Sequence, residues 1–341
     1  MARKETLDAA VIGGGSWGTA LGTLLARLGR DVCIWVRREE QAAEINEQHT
    51  NSRYLPGIKL PGKLRASTDM EALVDKAPVV FMAMPSRSFR EVARQVGDHA
   101  RGDHLLIHLT KGLEVDSFKR MSQILREETC CLKLGVLSGP NLAGEVVKGD
   151  PAGAVVASHY AELVKTVQAL FRGGFFRVYS VYDVVGTELG GAFKNIIALS
   201  AGMADGMGFG DNLKALLVTR GLREMIVYGE AMGADPYTFC GLAGIGDLMA
   251  TCSSKLSRNY QVGTRLAAGE KLEKILESLG QVAEGVPTTL AVHRQVHRMR
   301  LTLPIVDGVH RVLYDEISVE DSIATLMKHP VGDELSELKR R

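Results

Sequence analysis

Asp8–Val36 reads DAAVIGGGSWGTALGTLLARLGRDVCIWV, and this stretch decides the class of fold. Asp8–Gly13 is a short apolar run that predicts a strand, and it leads straight into GGGSWG with glycines at Gly13, Gly15 and Gly18. Behind the glycines, Trp17, Ala20, Leu21, Leu24, Leu25 and Leu28 recur at the spacing of one helical face, and Gly29 supplies the stop. Asp31–Val36 predicts a second strand. A GxGxxG pattern alone is weak, but strand, glycines, amphipathic helix and strand in that order mark a dinucleotide-binding turn. In such a turn Gly13 allows the bend, Gly15 admits a pyrophosphate against the backbone and Gly18 lets helix and strand pack. Ser16 and Trp17 open the helix, whose free N–H groups and dipole favour the phosphates.

The second strand ends Trp35-Val36-Arg37-Arg38. A site for NAD(H) usually carries an acidic residue there to hold the ribose hydroxyl, whereas Arg37 and Arg38 suit a 2′-phosphate. NADP(H) is therefore the expected preference, with NAD(H) also accepted, since Glu39 and Glu40 follow at once. Strand and helix signals then alternate up to Ser180. The strands Leu64–Thr68, Pro78–Met84, His104–Leu109, Leu132–Leu137, Ala154–Ser158 and Phe176–Ser180 are interleaved with helices, among them Phe118–Glu127. Repeated units of this kind predict a mostly parallel sheet that gathers ligands at the carboxyl ends of its strands. Pro85-Ser86, Lys111 and Ser138–Asn141 fall at such ends, and the linker between Gln48 and Gly62 is long enough to fold over a cofactor.

After Asp183 the strand signal disappears. From Leu189 through Ala204 the one ionisable side chain is Lys194, in a run apolar on every side, which predicts a helix buried between others. An ammonium placed there needs a carboxylate or a bound anion, unless its stem carries it to the surface. Further helices are predicted over Asn212–Met232, Gln261–Ala268, Leu272–Leu279, Thr288–Met299, Val306–Tyr314 and Val319–Met327, and the charged tail Gly332–Arg341 is expected to fray. The expected organisation is α/β, with a Rossmann-type, mostly parallel sheet domain over 1–188 and an all-α substrate-binding and catalytic domain over 189–341.

With 41 Lys and Arg against 40 Asp and Glu, the chain has no basic field of the kind nucleic acid requires. Cys33, Cys130, Cys131, Cys240 and Cys252 show no CxxC spacing and no histidine partner at zinc-ligand distance, so no metal is expected in the chemistry. Scattered cysteines, a start without a signal-peptide core and no apolar run fit to span a bilayer predict a cytoplasmic protein with no membrane insertion.

One segment of the helical half stands out, Gly241–Asn259, GLAGIGDLMATCSSKLSRN. Asp247 after two glycines is placed to cap a helix. Ser257, Arg258 and Asn259 offer a hydroxyl, a guanidinium and an amide to a small anion, though taken alone they read more readily as a solvated turn. Together with GGGSWGTAL at Gly13–Leu21, Thr110-Lys111-Gly112, SGPNLAGEV at Ser138–Val146, GTELGGAFKN at Gly186–Asn195 and Gly280–Gly285, the chain resembles the bacterial type of NAD(P)-dependent glycerol-3-phosphate dehydrogenase over nearly its whole length. Asn141 stands where that family often has Ser or Thr.

The resemblance implies reversible reduction of dihydroxyacetone phosphate to sn-glycerol 3-phosphate, feeding glycerophospholipid synthesis, on the architecture of 6-phosphogluconate dehydrogenases. It implies Lys194 as general acid and base. The implied substrate contacts are Lys111, Gly139, Asn141, Lys194, Asp247, Ser257, Arg258 and Asn259. Beyond the glycine turn, the implied cofactor contacts are Ser16, Trp17, Arg37, Lys111, Ala143, Arg258, Val282 and Glu284. A homodimer is admitted, because helical second domains of this kind often pair. Two rivals stand beside this reading. A related hydroxyacid dehydrogenase would take a carboxylate substrate in place of a phosphate. A non-catalytic NADPH sensor on the same fold would need neither a buried Lys194 nor Asp247.

Overall fold

The computed structural model describes residues 6–330, so the tail Gly332–Arg341 lies outside the described residues. The chain divides into two compact units, Met1–Lys111 with Lys119–Glu188, and Gly112–Phe118 with Leu189–Arg341.

Eight strands of the first unit form one sheet: β1 (Ala9–Ile12), β2 (Val32–Trp35), β3 (Arg65–Ser67), β4 (Val79–Met82), β5 (Leu105–His108), β6 (Leu134–Ser138), β7 (Ala152–Ala157) and β8 (Phe176–Val181). Their order is β3-β2-β1-β4-β5-β6-β7-β8. Every pairing is parallel except β6 with β7, where Leu137 lies opposite Val156. The first six strands follow the doubly wound order, and the chain reverses between β1 and β4, the point at which such sheets open a crevice for ligands. Helices α1 (Ser16–Arg27), α2 (Glu39–Ala43), α3 (Met70–Lys76), α4 (Ser86–His99), α5 (Met121–Glu128), α6 (Ala143–Val146) and α7 (Ala161–Leu170) accompany the strands. Alternate residues of β1 and β4 feed two separate cores. Val11 and Phe81 join Leu21, Ile34 and Ile107 in one, while Ile12, Val80 and Met82 join Phe89, Leu106 and Ile124 in the other. Burial on both faces is why these strands are continuous apolar runs with no polar alternation.

From Val184 onward the regular elements among the described residues are helical: α8 (Val184–Gly206), α9 (Asp211–Ala231), α10 (Asp247–Ser253), α11 (Arg258–Ala267), α12 (Leu272–Leu279), α13 (Gly285–Met299), α14 (Pro304–Tyr314) and α15 (Val319–Met327). No described helix is long and apolar enough to cross a membrane. Several expected helix starts move, among them that of α11, which begins at Arg258 instead of Gln261 because Ser257 caps it. The helix expected from Phe118 begins at Met121, because Phe118 adopts a left-handed conformation (φ 60°) and the Gln123 side chain accepts from the N–H of Arg120. α13 begins at Gly285, before the predicted Thr288. Pro287 is tolerated there because N–H groups of a first helical turn need no partner within the helix.

The first unit closes on a buried carboxylate. Glu188 is 5% exposed; its Oε1 lies 3.0 Å from His108 Nε2 and accepts from the Ser122 N–H at 2.8 Å, and its Oε2 accepts from Ser122 Oγ and Arg120. Burial pushes the Glu188 pKa up, but the His108 contact, the Arg120 charge and the Ser122 amide together outweigh it and hold the carboxyl at about 2. A folded-state pKa below the unfolded value means a stabilisation complete above about pH 4.5 and lost as the pH falls toward 2. Glu188→Gln should therefore lower stability at neutral pH by on the order of 3 kcal/mol and flatten the acid limb between those values. Urea denaturation midpoints across that range, for parent and variant, check both expectations.

Candidate active site

In the first unit the glycine turn lies at the carboxyl end of β1 against β4. Gly13 has φ 118°, and a Cβ there would stand 2.6 Å from the Ala83 carbonyl oxygen. A Cβ on Gly18 would come within 1.9 Å of the Gly13 oxygen, so Gly18 sets how closely α1 approaches the turn. Gly15 differs from both: its φ is −74°, and a Cβ would meet nothing within 4 Å. The first turn of α1 has no side-chain cap and no acidic residue, leaving its N–H groups to whatever fills the space above Gly15. An open backbone face at a helix N-terminus fits a pyrophosphate, so the residues present match the dinucleotide the motif implies.

The turn is held rigid by residues that the sequence reading did not single out. Gln41 and Asn51 both donate to the Gly14 carbonyl, at 2.6 and 3.0 Å, and Asn51 also donates to Thr19 Oγ1 at 2.8 Å. Ser16 Oγ donates to the Tyr54 carbonyl at 3.0 Å. The Gln48–Gly62 segment is thus packed onto the glycine turn, with Asn51 and Leu55 buried. The available signal was a polar residue inside a loop that also carries Leu55, Ile58 and Leu60. Trp17 and Ala143 meet on one apolar patch with Ala20, Leu55 and Val147, whereas Arg37 and Arg38 are exposed just past β2.

At the end of β5, Lys111 Nζ donates to the Gly139 carbonyl at 2.8 Å, which draws the β5 and β6 ends together. Gly139 has φ 134°, and a side chain there would press on Gly153 and Ala154. Ser138 Oγ and Asn141 Oδ1 are buried at this edge without a hydrogen-bond partner.

In the second unit Lys194 is 7% exposed, and its stem does not carry it to water. Its Nζ lies 2.7 Å from Asp247 Oδ1, between side chains 8% and 2% exposed, and also donates to Thr251 Oγ1. Asp247 does not cap a helix. It is the first residue of α10, follows Gly246 and turns its carboxylate inward. The approach depends on Gly190, one turn before the lysine, where a Cβ would stand 2.4 Å from the Ala243 carbonyl oxygen. Thr251, also missed from sequence, lies one turn after Asp247 and donates to its backbone carbonyl at 2.7 Å. The neighbouring Cys252 thiol is pushed by burial to a pKa of about 12 and stays neutral.

Ser257, Arg258 and Asn259 do not form a solvated turn. Ser257 is buried and caps α11 by accepting from the Tyr260 N–H, Arg258 opens the helix with its side chain exposed, and Asn259 is buried. The Asn259 amide donates to Asn195 Oδ1 at 2.8 Å and accepts from the Gly285 N–H at 2.9 Å, tying α8, α11 and α13 together beside Lys194. Glu284, immediately before α13, lies within electrostatic reach of Arg258, and Val282 precedes it in the same partly buried loop.

Residues 8–164 match the N-terminal model of NAD-dependent glycerol-3-phosphate dehydrogenase, and residues 183–324 match its C-terminal model. The chain belongs to the NAD-dependent glycerol-3-phosphate dehydrogenase family. It is 43% identical over 323 residues to the glycerol-3-phosphate dehydrogenase [NAD(P)+] of Teredinibacter turnerae, covering 95% of both chains. With the enzyme of the same name from Bacillus licheniformis it shares 42% identity over 332 residues, 96% of each. The crystal structure of glycerol-3-phosphate dehydrogenase from Coxiella burnetii superposes with a TM-score of 0.91 at 32% identity, covering 95% of this chain and 99% of that one. Family membership makes the chain an NAD(P)-dependent oxidoreductase, which sets aside the non-catalytic sensor.

The open face at Gly15 separates binding from folding. Gly15→Ala should leave the unfolding free energy within about 0.5 kcal/mol of the parent while weakening NADPH binding by roughly tenfold or more. Gly18→Ala, which meets the Gly13 carbonyl, should instead lower stability. Fluorescence titration with NADPH alongside chemical denaturation distinguishes the two effects.

Proposed function

We propose that the chain catalyses the reversible reduction of dihydroxyacetone phosphate to sn-glycerol 3-phosphate, with NADPH preferred and NADH accepted, as a source of backbone for glycerophospholipids. The observation that carries this reading is the buried Lys194–Asp247 pair on α8 and α10. When bound, the reduced dinucleotide supplies the hydride. The ketone oxygen of the substrate gains negative charge as the reaction proceeds, and the Lys194 ammonium stabilises that charge and donates a proton to the oxygen. In the reverse direction the neutral amine takes the proton from the alcohol. Asp247 pairs with the buried Lys194 ammonium, and Thr251 fixes where it points.

Arg258 at the start of α11, with Ser257 and Asn259 beside it, is assigned to the substrate phosphate, where a guanidinium and a helix N-terminus both favour an anion. Lys111, Gly139 and Asn141 are assigned to the substrate as well, on the strength of the unpartnered Asn141 oxygen. Gly13, Gly15, Ser16, Trp17, Gly18, Lys111 and Ala143 are assigned to the cofactor, with Arg258, Val282 and Glu284 contributing, and Arg37 and Arg38 reading the 2′-phosphate. The first unit thus serves the dinucleotide and the second the acid–base step. Five free thiols suit a reducing cytoplasm. Phe209 and Leu216, exposed at the end of the α8–α9 connection and on α9, support pairing of two copies.

Loss of reduced-nicotinamide absorbance on adding dihydroxyacetone phosphate tests the activity itself. Lys194→Met should lower kcat by roughly 10²–10⁴ while NADPH affinity changes little. A variant keeping more than about a tenth of the parent kcat would remove Lys194 from the acid–base role. Arg37→Asp should lower the ratio of kcat/KM for NADPH over NADH by roughly tenfold, the equivalent of one charge-assisted bond exchanged for repulsion. An unchanged ratio would move the selectivity to Arg38.

A further inference from the structure

Away from Lys194, in the second unit, α13 and α14 bring together a group of side chains that the reaction does not use. His293 and His297 lie one turn apart on α13, with their Nε2 atoms 3.1 Å apart. Asp307 on α14 places Oδ1 3.3 Å from His293 Nε2, and the three atoms lie within 4.8 Å of one another. The His310 ring stacks on His293 with centroids 3.6 Å apart and planes 12° off parallel, which holds the His293 plane in place. Asp315 Oδ2 stands 3.7 Å from His310 Nδ1 and adds a second negative charge nearby. His293 is half-buried, while His297 and Asp307 are open to solvent, so an ion could reach the group.

A single His293 Nε2 cannot serve both of these neighbours by hydrogen bonding alone. If His293 Nε2 carries the proton, it serves Asp307 and leaves the His297 nitrogen without a donor of its own. If it does not, it accepts from His297 and turns a lone pair toward the carboxylate. One cation at the centre satisfies all three lone pairs. For zinc–ligand bonds of about 2.0–2.1 Å in a tetrahedron, the ligand atoms stand about 3.3 Å apart. Two of the three separations, 3.1 and 3.3 Å, match such an edge, and all three atoms lie within 4.8 Å of one another. A pair of histidines at i and i+4 on one helix is also the spacing at which two imidazoles share a zinc ion.

We infer that His293, His297 and Asp307 form a binding site for a divalent transition ion, Zn²⁺ by ligand type and geometry, which links α13 to α14 and keeps one coordination position open. Two imidazoles and one carboxylate suit Zn²⁺ better than Mg²⁺ or Ca²⁺, which take oxygen ligands. Cysteine spacing gives no sign of this site, and the histidine pair alone does not reveal it, because the carboxylate comes from a different helix.

The test uses the full-length, tag-free, metal-stripped protein with Zn²⁺ as probe at neutral pH, in calorimetric titrations of the parent, His297→Ala and Asp307→Asn. Both substituted side chains are exposed, so the fold should survive, and thermal melts without metal verify that. The parent should bind one ion per chain and melt at higher temperature with it, while each variant binds roughly 10- to 100-fold more weakly and shows no such rise. Co²⁺ in place of Zn²⁺ should give the intense visible bands of a four-coordinate site in the parent alone. Equal Zn²⁺ binding by all three proteins would assign the ion to the exposed thiols of Cys130 and Cys240 and overturn the inference. So would a parent that retains no ion, which would leave the histidines sharing a proton.

Discussion

The second unit is arranged around one buried charge pair. Lys194 and Asp247 are nearly excluded from water, and removing either charge would strand the other in a medium where an unpaired ion costs several kcal/mol. Buried pairs of this kind are poor sources of stability compared with well-packed apolar residues, so this one is better understood as a chemical requirement that the fold accommodates. Its neighbourhood shows how. Gly190 lets the chain before Asp247 approach α8 at backbone distance, Thr251 takes a further bond from the ammonium, and the Asn195–Asn259–Gly285 chain fixes α8 against α11 and α13. Each contact removes a freedom that would let the ammonium drift from its position. Displacements of the order of 1 Å are what catalysis of this kind does not tolerate.

The first unit solves a different problem with backbone in place of charge. A phosphate cradle made of N–H groups must be rigid before the ligand arrives, or ordering it subtracts from affinity. Here the Gly14 carbonyl is held by two side-chain amides, Ser16 is tied to Tyr54, and Gly13 and Gly18 leave no room for side chains. The face at Gly15 alone stays open. A turn that is closed everywhere except where the ligand would enter is a preorganised site.

Sequence periodicity was sufficient for most of the framework because the central strands are parallel and buried on both faces. Those strands are therefore unbroken apolar runs, and the helices between them carry apolar stripes. Where the sequence reading moved, the cause was tertiary. Phe118 lies in a left-handed turn that no propensity marks, and α13 begins at Gly285, before the expected Thr288, with Pro287 inside its first turn. Ser257–Asn259 looked like a solvated turn because three polar residues in a row usually are one. Ser257 is buried as the cap of α11, and Asn259 is buried against partners on α8 and α13, which a local reading does not contain.

What the sequence by itself determined is the chemistry of the parts: a glycine turn after an apolar strand, two arginines past the second strand, and one lysine in an apolar helix. Those features are local, because a turn, a strand end and a helix face are set by residues a few positions apart. Only the tertiary structure decided which groups meet. Asp247 is the partner of Lys194 rather than a cap, Gln41 and Asn51 hold the Gly14 carbonyl, and Asp307 closes on the histidines of α13. These pairings join residues from about ten to more than fifty positions apart, and the packing that brings them together depends on backbone approaches, such as that at Gly190, whose partner no local pattern identifies.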